Sequence, residues 1–300
     1  MTKRVAVVTG STQGWGRAVA ESLAQSGIAV IVNGRNRDVD EVVRSIRARG
    51  GEARGVQLAS DTAEGVEALM AAALDAFGHV DIWVNSLGVQ RPEPLLTLSL
   101  DAWDEVLRIQ LTAVFLGTQC AARQMIKQGN GGRIINVVGG GAYGLGGASA
   151  HSASKGGALS ATYSWADELR PYGITVNAIR GAVQSPNMRK IMLAVGFLDA
   201  KTDAESNDPL RGLGFHDRDV VAALPAWLAS EEAGDVTGFH IGIDGRRITV
   251  YDRVKVALEM YEDEVWTVGN LAERLHGALR ELPQSADGWA QRDQAGAAEF

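Results

Sequence analysis

Eight residues, Thr9 to Gly16 (T-G-S-T-Q-G-W-G), separate an apolar run, Val5 to Val8, from a helical stretch that begins at Arg17. Glycines at 10, 14 and 16 let a chain leave a strand sharply and bring its backbone close to a pyrophosphate, whose charge the first amides and the dipole of the next helix then meet. The feature places a parallel α/β sheet and a nucleotide at the start of the chain. Three glycines among 36 are weak by themselves. Their position between strand and helix, and the pattern of the chain downstream, give them weight.

Short apolar strands alternate with longer helical patterns, the arrangement of βαβ units around a parallel sheet. The strands expected are Val5 to Val8, Ala29 to Asn33, Ala53 to Gln57, Ile82 to Asn85, Arg133 to Val138, Thr175 to Ala178 and His240 to Ile243. Helices are expected over Arg17 to Gln25, Val39 to Arg49, Ala63 to Phe77, Trp103 to Lys127 and Ser152 to Arg170, with Gly27, Gly50, Gly78 and Gly129 as C-terminal stops. The fold class is α/β: a doubly wound parallel sheet, Rossmann-like, in three layers. It occupies residues 1–248, and a C-terminal helical extension follows over 249–300. Leu271, Leu275, Leu279 and Leu282 recur there at helical spacing up to Pro283, and the chain after Gln284 is polar and small, in keeping with a disordered tail.

Composition narrows the class. Hydrophobic residues make up 46% and charged residues 22%, enough for a large core, and no apolar run is long enough to span a bilayer. A net charge of −7 argues against nucleic acid or an anionic membrane as partner. Met1 leads almost at once into the first strand, leaving no room for a signal peptide, and the single cysteine, Cys120, sits in an apolar helical pattern; both fit the cytoplasm. His79, His216, His240 and His276 are isolated, so no metal site is expected.

Two further segments belong to the site. Gly139 to Gly147 (G-G-G-A-Y-G-L-G-G) follows the fifth strand at the carboxyl edge where open α/β sheets bind ligands. From Gln184 to His216 the regular alternation stops, and Met188, Ile191, Met192, Leu193, Val195, Phe197 and Leu198 form an apolar patch that reads either as a substrate lid or as a hairpin packed on the core or on a neighbouring subunit.

Over roughly residues 3 to 246 the chain resembles the short-chain dehydrogenase/reductase family. The resemblance rests on T-G-S-T-Q-G-W-G, Asp61, Asn85-Ser86-Leu87-Gly88 as a variant of N-N-A-G, Gly173 to Ile179, Gly181 to Pro186, and Val236-Thr237-Gly238 through Asp244-Gly245. It implies a cofactor site at Gly10, Thr12, Gly14, Trp15, Gly16, Arg35, Asp61 (adenine), Asn85, Gly88, Lys155, Val183 and Ser185. Arg35 stands where members that prefer NAD carry an acid for the ribose hydroxyls, and a guanidinium there can grip a 2′-phosphate through two charge-assisted bonds. NADP(H) is therefore the expected cofactor, with NAD(H) the alternative; a solvated surface charge is the other reading of Arg35. Trp15 fills a slot usually held by a smaller aliphatic residue and either covers the cofactor or plugs the fold.

The resemblance also implies a reaction centre of Tyr-x-x-x-Lys, a serine and an asparagine. Residues four apart share one helical face, so the lysine can lower the partner's pKa and bind the ribose. Here the helix reads His151-Ser152-Ala153-Ser154-Lys155; the serine slot falls at Gly139, or at Val138 with a shift of one, and the asparagine slot at Gln110. In one reading His151 is the acid/base group, amides of Gly139 to Gly141 stand in for the serine hydroxyl, and Gln110 holds a water, so the protein interconverts an alcohol and a ketone on a fairly apolar substrate. In a second, hydride chemistry is lost and the nucleotide pocket serves binding or assembly. A third keeps the pocket for redox-neutral dehydration, isomerisation or cyclisation. Tyr143 and Ser149 read as lining residues, and the helices from Trp103 and from Ser152 resemble those the family uses for subunit contacts, which implies a homo-oligomer, a dimer or a tetramer.

Overall fold

The computed structural model describes residues 3–36, 38–89, 91, 93–181, 183, 193, 221–244, 247–253, 258–261, 268–275 and 278–279. The chain divides into two compact units, Met1–Tyr251 and Asp252–Phe300.

The first unit is built on β1 (Val5–Val8), β2 (Ala29–Gly34), β3 (Ala53–Gln57), β4 (Ile82–Asn85), β5 (Gly132–Val137), β6 (Ile174–Arg180), β7 (His240–Asp244) and β8 (Arg247–Tyr251). They form one sheet in the order β3-β2-β1-β4-β5-β6-β7-β8, parallel from β3 through β7, with β8 antiparallel on the β7 edge. This is the doubly wound Rossmann-like order, whose ligand crevice lies at the carboxyl ends of β1 and β4, where the strand order reverses.

Alternation along each strand divides the core in two. Ala6, Val8, Val30 and Val32 pack against Val19 and Leu23 of α1 (Gly14–Gln25), Val42 and Ile46 of α2 (Asp38–Ala48) and Leu224 and Leu228 of α7 (Ala223–Ala229). Val7, Ile31, Trp83 and Ile134 face the other way, onto Leu69 of α3 (Ala63–Phe77), Met125 of α5 (Ala113–Gln128) and Ala166 of α6 (Ser149–Leu169). Strands buried on both faces read as near-continuous apolar runs, as Val5 to Val8 and Ala29 to Val32 do. Helix ends follow local chemistry: Thr62 Oγ1 accepts from the Gly65 amide at 3.1 Å to open α3, and Gly78 and Gly129, at φ 81° and 76°, close α3 and α5.

Two features depart from the sequence expectation. The helix expected from Trp103 to Lys127 is α4 (Leu100–Leu107), a π-helical turn (Arg108–Thr112) and α5 in succession, so the register slips at Gln110. The strand β8 has no counterpart among the expected strands: Asp244-Gly245 reads as the end of the sheet, whereas Arg247–Tyr251 turns back to pair with β7 from Asp244↔Arg247 to His240↔Tyr251.

In the second unit, α8 (Val268–Asn270) runs into a π-helical turn, Leu271–Leu275, and Arg274 Nη2 donates to Tyr261 O at 3.4 Å. The expectations for Leu282, Pro283 and the tail after Gln284 lie outside the described residues, as do those for most of 184–216, Ser185, His216 and His276. Among the described residues no helix is long and apolar enough to cross a membrane, and no group of His, Cys, Asp or Glu could hold a metal ion.

Candidate active site

The first turn has the backbone its sequence requires. Gly10 and Gly14 adopt φ of 60° and 53°, and a Cβ on Gly16 would sit 2.4 Å from Gly10 O, so the turn is too tight for a side chain there. The segment after β4 packs beside it: the Ser86 amide donates to Thr9 Oγ1 at 3.0 Å, and a Cβ on Gly10 would lie 3.2 Å from Ser86 O. The Gln13 side chain makes no capping bond to α1, and space around Gly14 and Gly88 is open within 4 Å. Amides at the start of α1 are thus left for an anion, and the residues present fit a dinucleotide pyrophosphate.

The remaining cofactor candidates divide. Thr12 packs its methyl group on Gly34, where a Cβ would meet it at 2.4 Å, and so fixes the end of β2 against the turn. Arg35 follows at once; its side chain is exposed, and no carboxylate pairs with it among the described residues. Asp61 is buried, with Oδ2 ion-paired to Arg108 of the π-turn. Val183 is buried in the core on the α1 face.

Trp15 lies at the junction: its Nε1 donates to Gly181 O at 3.0 Å, its ring would come within 2.3 Å of a Cβ on Gly181, and it packs on the core. It clamps α1 to the end of β6 and leaves no room for a side chain at 181. Asn85 is engaged wholly within the protein. Its Oδ1 accepts from Trp83 Nε1 at 2.8 Å, and its Nδ2 donates to Asn136 Oδ1 at 2.8 Å and Thr118 Oγ1 at 3.0 Å. Asn136 Nδ2 continues the chain to Thr162 Oγ1 at 2.9 Å. The Asn85 side chain is a brace joining β4, β5, α5 and α6, so any contact of this residue with a cofactor falls to its backbone.

The reaction loop forms a 3-10 turn, Gly140–Tyr143, between β5 and α6. His151 and Lys155, one helical turn apart on α6, both face inward. Lys155 is buried, donates from Nζ to Val137 O at 3.1 Å, and is pushed by burial down to about 8. The His151 ring lies against Gly141, where a Cβ would be 2.4 Å from Cδ2 and 2.6 Å from Nε2. Burial, with the Lys155 charge beside it, pushes His151 down to about 4, so the imidazole is neutral at pH 7. Its Nδ1 is buried without a hydrogen-bond partner among the described residues.

Gln110, fully buried in the π-turn, donates from Nε2 to Val89 O, and its Oε1 is likewise buried and unpartnered. Each such atom costs about 1–3 kcal/mol until a ligand or water meets it. One expected donor is corrected: the Gly139 amide is bonded to Ile179 O at 3.5 Å, beside Val138 N at 3.1 Å on the same oxygen. The amides of Gly140 and Gly141, first in the 3-10 turn, have no partner within that turn.

Sequence reasoning misses a cluster on the other side of this loop. Tyr143 Oη is 2.6 Å from His240 Nδ1, and Tyr143, His240 and Tyr251 stack with centroids 4.7–5.5 Å apart. Arg180, at the end of β6, lies over both tyrosine rings and donates to Tyr251 Oη. The one sequence signal for it is the turn dipeptide Asp244-Gly245 before a β-branched run, which brings Tyr251 back beside His240.

Comparison with known proteins agrees with this geometry. The family described as short chain dehydrogenase matches residues 4–194. A short-chain reductase, NovJ, from Streptomyces niveus is 36% identical over 247 residues, covering 81% of this chain and 93% of its own. A short chain dehydrogenase structure from Mycobacterium avium superposes with a TM-score of 0.79 at 27% identity, covering 94% and 97% of the two chains. An actinorhodin polyketide ketoreductase solved with NADPH gives 0.76 at 29% identity, covering 81% and 96%.

Proposed function

Because the chain belongs to the short-chain dehydrogenase/reductase family, we propose that it is an NADP(H)-dependent oxidoreductase that interconverts an alcohol and a ketone on a largely apolar substrate, with His151 as its acid/base group. The observation that carries this reading is the pairing on α6: a neutral imidazole with an unpartnered buried nitrogen, one turn from a buried lysine, beside the reaction loop. A site that had drifted to a structural role has no reason to retain an unsatisfied nitrogen and a buried lysine together.

The nicotinamide, when bound, supplies or accepts the hydride. The protein's own groups do the rest. Neutral His151 accepts the proton of the substrate hydroxyl in the oxidation direction and returns it in reduction; burial and the Lys155 charge keep the resting ring neutral, in the form that can accept a proton. The amides of Gly140 and Gly141 steady charge on the substrate oxygen. Gln110 Oε1 holds a water or the substrate hydroxyl, and Lys155 binds the ribose. On the adenine side, the start of α1 takes the pyrophosphate, Arg35 the 2′-phosphate, and the free oxygen of Asp61 the adenine, with Arg108 fixing that carboxylate. Gly88 and the backbone at Val183 border the nicotinamide. The apolar residues between Met188 and Leu198 motivate the substrate class.

Fluorescence titration with NADPH and NADH, followed by a panel of hydrophobic secondary alcohols and ketones, tests the proposal. Tighter binding of NADPH and turnover of at least one alcohol are expected. Binding without any redox turnover would overturn it in favour of a nucleotide-binding role, and a redox-neutral product in favour of dehydration or isomerisation.

A further inference from the structure

Arg180 is the last residue of β6 and points to the α6 side of the sheet, as Ala178 does two residues earlier. A Cβ on Gly140 would sit 3.5 Å from its Nε and Nη2, while a Cβ on the next residue, Gly141, would meet the His151 ring at 2.4 Å. The guanidinium and the imidazole therefore abut consecutive residues of one loop. Tyr143 and Tyr251 hold the guanidinium carbon 5.9 Å and 5.3 Å from their ring centroids, and the bond to Tyr251 Oη uses Nη1. Among the described residues no carboxylate pairs with Arg180, although it is half-buried.

We infer that Arg180 is the substrate's anion anchor, and that the substrate is an oxo or hydroxy compound with an apolar body and a carboxylate or phosphate close to the reacting carbon. The inference rests on the oxidoreductase reading of the same site. A planar guanidinium held beside two aromatic rings and bonded through one nitrogen presents its remaining N–H groups as a fork matched to an oxyanion. A cation left half-buried without a counter-ion gains most from a ligand that brings one. Its place beside Gly140 sets the anion within one loop residue of the proton-transfer group, which makes Arg180 a determinant of specificity and of orientation.

The test is a ratio. kcat/KM with NADPH is measured for 3-oxohexanoate and 4-oxohexanoate against their methyl esters, and for dihydroxyacetone phosphate against dihydroxyacetone, in the native protein, Arg180→Gln and Arg180→Lys. The native protein is expected to favour one charged compound over its neutral partner by about tenfold or more, which also tells carboxylate from phosphate. In Arg180→Gln that ratio falls to near one, mainly through KM, and Arg180→Lys keeps part of it. Equal activity on charged and neutral partners in the native protein, or a ratio unchanged in Arg180→Gln, overturns the inference. A purely structural Arg180, holding β8 through Tyr251, would lower both members of each pair alike. If nothing is reduced, the oxidoreductase reading fails, and calorimetric binding of the same anions decides the anchor separately: binding by the native protein lost in Arg180→Gln upholds it, and no difference rejects it. Thermal midpoints of both variants report on folding.

Discussion

Acidification should destabilise this protein, in part through His240. The ring is fully buried, stacked between Tyr143 and Tyr251, with the Arg180 charge nearby; burial first, and Arg180 second, push it from 6.5 down to about 4. Between those values the unfolded chain binds a proton that the folded one refuses, so stability is complete above about 6.5 and falls as pH drops toward 4. From pH 7 to pH 5 the loss works out at about 2 kcal/mol for this one group, a tenfold change in proton affinity being worth about 1.4 kcal/mol. His240→Phe keeps the stacking and removes the titration. It also costs the Tyr143 bond, but that cost is nearly the same at both pH values and cancels in the difference. Urea unfolding at pH 7 and pH 5 gives four free energies, and the native protein should lose about 2 kcal/mol more than His240→Phe. The ordinary carboxylates titrate in both proteins and drop out. Equal losses in the two would refute the placement of a neutral, solvent-free imidazole against Arg180.

Other outcomes follow from the same geometry. Arg35→Glu should cut the NADPH-over-NADH preference by about tenfold or more, read as a ratio of dissociation constants, because a carboxylate repels the 2′-phosphate. Gly16→Ala places a methyl 2.4 Å from Gly10 O, so nucleotide binding in a fluorescence titration should be lost or severely weakened. Asn85→Ala strands the Trp83 Nε1 and Asn136 Oδ1 groups inside the sheet and should cost about 3 kcal/mol in urea unfolding. Light scattering should return a dimer or tetramer mass, and a monomer would contradict the association expected of α5 and α6.

The first half of the fold can be read from residues because short strands, apolar in β1, β2 and most of β4, alternate with helices closed by glycine, and β1, β3 and β4 begin and end where the pattern says. The π-turn at Gln110 leaves no mark on the sequence: Arg108–Thr112 has ordinary helical composition, and the slip serves contacts to Val89 and Asp61 that lie far away along the chain. The strand β8 escapes the pattern because Asp244-Gly245 signals the end of one strand and the start of a hairpin alike. At the site, His151 and Lys155 are visible from their four-residue spacing. Arg180, Tyr143, His240 and Tyr251 are not visible as a group, since only strand pairing brings them together. Asn85 points to the cofactor from its place in a motif, and its side-chain bonds to Thr118 of α5 and Asn136 of β5, the latter passing on to Thr162 of α6, are a bracing role that only the fold reveals.

Proton transfer by His151 is the central claim, and its most direct test is the rate of NADP-dependent oxidation of a secondary alcohol by His151→Ala, with and without added imidazole. A loss of about a hundredfold or more, partly restored by imidazole, is expected of a general base. A rate equal to that of the native protein would mean that another group moves the proton and that the central claim is wrong.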